Sequence, residues 1–215
     1  MKYIIMCGGY YEQFTTPKQL SIINGEPLVA RTIRLLRENG IQDIFITSNN
    51  PIFKQYGNVI EHNNSYMCKD GKIYGYWLDA YYLLNEPCVY LHGDVYYSED
   101  AIKKIINCKP KTNTFIGNKM AKNSLHKNWG EPFGWIIVNP KEFHEGIKKT
   151  KKLQDEGKLI RGFAISWELY RVLNNLDPNI QMVLDETYLM IDDETIDVDE
   201  PDQIIKLNNF LKGID

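Results

Sequence analysis

The sequence lacks several of the features that assign a chain to a class at once. None of its 215 residues belongs to an apolar run of about 18, so no membrane-spanning helix is expected. The start, MKYIIMC, leads into no long apolar stretch, so no signal peptide is expected. Cysteine is scarce. Cys7, Cys68, Cys88 and Cys108 lie far apart and fit no zinc spacing, which reads as four reduced thiols of a cytoplasmic protein. Excess positive charge is missing too. The 25 Lys and Arg against 28 Asp and Glu leave a net charge of -3, with no general attraction for nucleic acid or an anionic membrane. An anionic ligand therefore needs a local site. No G-x-G-x-x-G follows the first apolar run, which argues against a dinucleotide-dependent oxidoreductase. There is no internal repeat, low-complexity tract or linker.

What is present is an alternation of strand and helix signals. Residues 3–7, YIIMC, form a short apolar run ending at glycine, the pattern of a strand buried on both faces. Residues 27–40 read as a helix with proline in its first turn, glycine at its end and an apolar stripe through Val29, Ile33 and Leu36. Residues 43–47 are the next strand, so the chain opens with a β-α-β unit. Further strands are expected at 59–61, in 88–94 ahead of a turn, and at 112–118, 134–138, 181–184, 187–191 and 194–198. Helices are expected at 74–84, 99–107, about 140–176, and from 201 onward. The expected architecture is a single α/β domain over 1–215, with a Rossmann-like mixed, mostly parallel sheet flanked by helices. Its parts would be a nucleotide-binding half at about 1–106, an acceptor-binding region at about 107–193, and a closing strand and helix at 194–215.

In such sheets ligands sit at the carboxyl ends of the strands. Three polar segments fall there: the loop from Gly8 to Lys18, the turn His92-Gly93-Asp94, and Asp197 to Asp202. On one rim they supply bare backbone amides, one ammonium and two or more carboxylates. Glycine lets amides approach phosphate oxygens, lysine offsets phosphate charge, and carboxylates hold a hard divalent cation. Each segment alone also fits a turn or a helix cap. Their shared placement is the signal.

The order of IIMCGG, PKQLSIINGEPLVARTI and RENGIQDIFIT resembles the nucleotidyltransferase family, the GT-A-type α/β enzymes that make nucleotide-activated sugars and alcohols. YLHGDVYY is similar to the family's strand bearing a metal-binding Asp, and TIDVDEPDQIIKL to its late strand ending in a second one. AISWELYRVL is loosely similar to the phosphocholine cytidylyltransferase branch. The resemblance implies the GT-A-type nucleotidyltransferase fold and transfer of a nucleoside monophosphate, with CTP favoured as donor. The acceptor would be a small phosphorylated compound, a sugar phosphate or a phosphocholine-like one. Mg2+ is the implied cofactor. Lys18, Asp94 and Asp199 would be catalytic, the two aspartates holding the metal. Cys7, Gly8, Gly9, Tyr10, Gln13, Lys18 and Gly93 would line the nucleotide. Trp129, Glu131, Trp167 and Glu168 are candidates for the acceptor.

One departure stands out. The family's loop reads Gly-x-Gly-x-Arg, and here Tyr11 takes the second glycine's place and Gln13 that of the arginine. Glutamine cannot replace the bidentate, charged contact of arginine to a phosphate. Two alternatives stay open beside the enzyme: a nucleotide-binding protein of this fold without turnover, and a nucleotide-sugar-dependent glycosyltransferase. The second is disfavoured, since Gly93-Asp94-Val95 is no Asp-x-Asp. Oligomeric state is not legible.

Overall fold

The computed structural model describes residues 1–63, 66–70, 72–119 and 130–214. Seven strands form the central sheet, in the order Tyr188–Met190, Thr114–Gly117, Pro132–Ile137, Cys88–His92, Lys2–Met6, Ile44–Ser48 and Asn58–Glu61. Only Pro132–Ile137 runs antiparallel to its neighbours. Every other pairing is parallel. The mixed, mostly parallel sheet expected from the sequence is thus the one present.

Alternation of side chains builds a core on each face. Ile5 and Leu91 face one layer, packed by α1 (Leu28–Glu38) and α2 (Glu99–Asn107) through Val29, Ile33, Leu36, Ile102 and Ile105. Ile4 and Tyr90 face the other, packed by α3 (Pro140–Asp155) and α4 (Ser166–Leu173) through Phe143, Leu169 and Tyr170. α1 begins after Pro27, α3 carries Pro140 at its start with Asn139 capping Glu142 N, and Ser98 caps α2 at Ala101 N. A third cluster joins α5 (Pro201–Leu211) to the rest through Leu207, Ile23 and Val198.

Four expected elements differ. Residues 74–84 are not an α-helix but hold a four-residue 3-10 turn, Trp77–Ala80. Gly75 just before it has φ +77, and the aromatic rings of Trp77 and Tyr81 pack edge-on rather than along one helical stripe. The long helix from 140 is broken into α3 and α4. Gly157 and Gly162 between them adopt φ +65 and +81, which a continuing helix does not allow. Residues 181–184 form no strand, and the closing strand shrinks to Ile196–Asp197. Unexpected from the pattern is a small sheet, in which Tyr10–Tyr11 pairs with Met67–Lys69 and that with Lys72–Tyr74.

Candidate active site

Chain order reverses beside Lys2–Met6. The next two sheet strands in sequence lie on one side of it, while Cys88–His92 lies on the other. Such a switch point opens a crevice at the carboxyl ends of the two central strands. Gly93 continues the strand so closely that its amide donates to Met6 O at 3.0 Å. A Cβ there would stand 2.5 Å from the same oxygen, so glycine is required. Asp94 follows, and Val95 pairs with Asp197 in a short antiparallel ladder. Val198 N donates to Asp94 O at 3.0 Å. This ladder carries the C-terminal acids to Asp94. The amides of Asp199 and Glu200 both donate to Gln203 Oε1, at 2.7 and 2.8 Å, which pins Asp199 at the start of α5.

Lys18 closes the set. Pro17 starts the 3-10 turn Lys18–Leu20, and the lysine is only 2% exposed. Its Nζ lies 2.7 Å from Asp94 Oδ2, 3.2 Å from Asp199 Oδ1 and 4.0 Å from the centre of the Tyr11 ring. Burial alone would lower the lysine pKa, but Asp94, Tyr11 and Asp197 outweigh it and raise it. Burial alone would likewise raise the Asp94 pKa, and Lys18, then His92, hold it below the usual carboxylate range. Both groups are therefore charged at neutral pH. His92 is pushed down to about 4, chiefly by burial, and is neutral there. Its Nε2 lies 3.4 Å from Ser166 Oγ at the start of α4.

The three segments expected to converge do so. They line a cavity of about 310 Å3. Gly8, Glu131 and Trp167 line it as well. Glu131 is buried, its backbone N–H donating to Asn118 Oδ1 and its Oε2 accepting from Asp197 N. Trp167 stacks on Tyr188 at 6.1 Å. Other residues fall elsewhere. Cys7, Gly9 and Tyr10 line a second cavity behind the loop, and Tyr10 is largely exposed. Gln13 is exposed and lines neither cavity. Glu168 does not face the cleft. Its Oε2 accepts from Ile165 N at 2.9 Å and its Oε1 lies 3.6 Å from Arg171, so it caps α4 instead. Trp129 lies outside the described residues. Lys119 pairs with Asp185 at 2.7 Å.

Sequence reasoning passed over Tyr66, Gln19, Trp77, Arg161 and Phe163, which also line the cleft. None carries a motif signal, and only the tertiary fold collects them. Among the described residues no three or more His, Cys, Asp or Glu side chains converge into a self-sufficient metal cage. Asp94 and Asp199 nonetheless share one cation, and their all-oxygen donor set fits Mg2+, which binds through one or two carboxylates plus water and phosphate.

No protein-family model matches the chain, and no curated protein matches it. Solved structures do resemble it. A provisionally designated glucose-1-phosphate thymidylyltransferase from Bacillus anthracis, crystallised with sucrose, is 14% identical with a TM-score of 0.60, over 100% of this chain and 96% of that one. The CTP:phosphocholine cytidylyltransferase of Streptococcus pneumoniae is 18% identical with a TM-score of 0.53, over 98% of each chain. A protein of Mycobacterium tuberculosis H37Rv is 16% identical with a TM-score of 0.53, over 97% of each. At these identities the likeness is one of fold. The chain shares its α/β architecture from end to end with these three structures, two of which are named as nucleotidyltransferases.

Proposed function

We propose that the chain is a nucleotidyltransferase, moving CMP from CTP to a small phosphorylated acceptor with release of pyrophosphate. One observation carries the reading: a buried ammonium held between two carboxylates from distant segments, at the mouth of the sheet's switch point. A buried ion pair adds little stability over an apolar filling, so its presence there favours a role in binding charge.

In this reading a phosphate oxygen of the acceptor attacks the α-phosphorus in line. A new P–O bond forms, the bond to the bridging oxygen breaks, and its electron pair leaves with pyrophosphate. Lys18, cationic throughout, offsets charge on the α-phosphate. Asp94 and Asp199 would hold Mg2+, which supplies further charge neutralisation at the phosphates. No protein nucleophile is needed, and orientation and electrostatics do the work. The far wall, with Arg161, Phe163, Trp167 and Glu131, suits an acceptor that offers both a phosphate and an apolar or cationic body. A sugar phosphate or a phosphocholine-like compound meets that description.

The test is pyrophosphate release with CTP, UTP, ATP and GTP, Mg2+ and a panel of phosphorylated acceptors. Release with one nucleotide and one acceptor is expected, abolished by Lys18→Ala or Asp94→Ala in folded protein. Silence of the folded wild type across the whole panel contradicts the reading. A second reading, nucleotide binding without turnover, rests on the opening loop, where Gln13 in the arginine's place is exposed and Tyr11 in the second glycine's place lays its ring under Lys18. It predicts nucleotide-dependent thermal stabilisation and no product.

A further inference from the structure

Two cavities meet at the opening loop. The cleft of about 310 Å3 lies on one side, and a larger one of about 560 Å3, reaching Thr15, Thr16, Asn49 and Asn50, lies on the other. Tyr11, Lys18 and Tyr66 line both. The two tyrosine rings thus form the wall between them, meeting edge to face with centres 6.2 Å apart.

The wall occupies the place that the glycines open. Gly9 has φ +90, and a Cβ built on it would fall 2.3 Å from Tyr66 Oη and 2.5 Å from Tyr66 Cζ. The ring therefore lies directly on the glycine backbone. Its hydroxyl sits 3.3 Å from Gly8 O and 3.2 Å from the Tyr11 hydroxyl. Gln19 Nε2 approaches the same Gly8 carbonyl at 3.5 Å. The two tyrosines also belong to one unit, because Tyr10–Tyr11 pairs with Met67–Lys69 and Asp70 N donates to Glu12 Oε2. Hydroxyl contacts longer than 3 Å are at the weak end for O–H donors, while a polyphosphate brings charge-assisted bonds.

We propose that Tyr11 and Tyr66 form a hydroxyl-latched partition, and that Tyr66 must leave Gly9 before a nucleotide polyphosphate can reach the glycine backbone beside Lys18. The proposal rests on the nucleotidyltransferase reading and assigns Tyr66 to admission of the nucleotide, not to the chemistry. Apparent nucleotide affinity is then the intrinsic affinity multiplied by the fraction of molecules with the latch open.

Binding of CTP, UTP, ATP and GTP with Mg2+ to wild type, Tyr66→Phe and Tyr66→Ala, by calorimetry, tests it, with the melting temperature and turnover of each recorded. Tyr66→Phe keeps the ring and loses the latch. It is expected to tighten nucleotide Kd about fivefold, the worth of one neutral hydroxyl bond. Tyr66→Ala should tighten it further while melting lower. A packing role alone would lower the melting temperature and leave Kd unchanged or weaker. That result, with wild-type turnover intact, overturns the partition and leaves the function standing. Absence of nucleotide binding in wild type and both variants overturns the partition and the function together.

Discussion

Lys18 is held where a lysine ordinarily is not. Removing an ammonium from water is costly, and only close carboxylates keep it charged there. Asp94 at 2.7 Å and Asp199 at 3.2 Å do this, with the Tyr11 ring beneath. The pairing is mutual, so deleting one partner strands the other. Lys18→Met is expected to destabilise the protein by about 3–5 kcal/mol, the usual cost of breaking a buried pair from one side. Lys18→Met combined with Asp94→Asn should cost clearly less than the two changes summed, since the stranded charge is gone. Urea unfolding of the four proteins measures this. Additive costs, or a loss below about 1 kcal/mol for Lys18→Met, would place the pair among solvated ones. The sequence signalled these residue types well, because Pro-Lys after a glycine turn and Asp after His-Gly are local patterns. It carried no signal for Tyr66, whose partner Gly8 is 58 residues away.

At the scale of elements, α4 shows how one motif can read two ways. Trp167 and Glu168 are neighbours in sequence, yet only the tryptophan faces the cleft. The glutamate folds back on its own helix, accepting from Ile165 N and pairing with the buried Arg171. Glu168→Ala should therefore lower stability by about 1–3 kcal/mol, through loss of the cap and an unpaired guanidinium. It should leave the acceptor KM within about twofold once the protein is folded, which steady-state kinetics and thermal melts check together; a large rise in KM without a stability loss would return Glu168 to the binding wall. The strands buried on both faces and the starts of α1, α2, α3 and α5 were legible, because apolar runs and proline at a helix start are local signals. The break in the helical stretch 140–176 is not legible in sequence, because glycine is tolerated in a polar helix and only the positive φ of Gly157 and Gly162 ends it. The small sheet escaped because two- and three-residue strands are too short to show a period.

For the molecule as a whole, the topology does most of the positioning. The switch point beside Lys2–Met6 opens the crevice, and the short ladder Val95–Tyr96 with Ile196–Asp197 folds the end of the chain back to its rim. That is why residues 18, 94 and 199 meet although they span 181 positions. The convergence was anticipated from polar segments that follow strands, whereas the lining by Arg161, Phe163 and Trp167 depends on where the broken helix turns. Among the described residues no helix is long and apolar enough to cross a membrane. The most direct measurement is a crystal structure with CTP and Mn2+ in place of Mg2+, read by anomalous scattering. The account predicts the metal peak between Asp94 and Asp199, with the α-phosphate against Lys18. A nucleotide bound elsewhere, or a metal peak away from both aspartates, would contradict it.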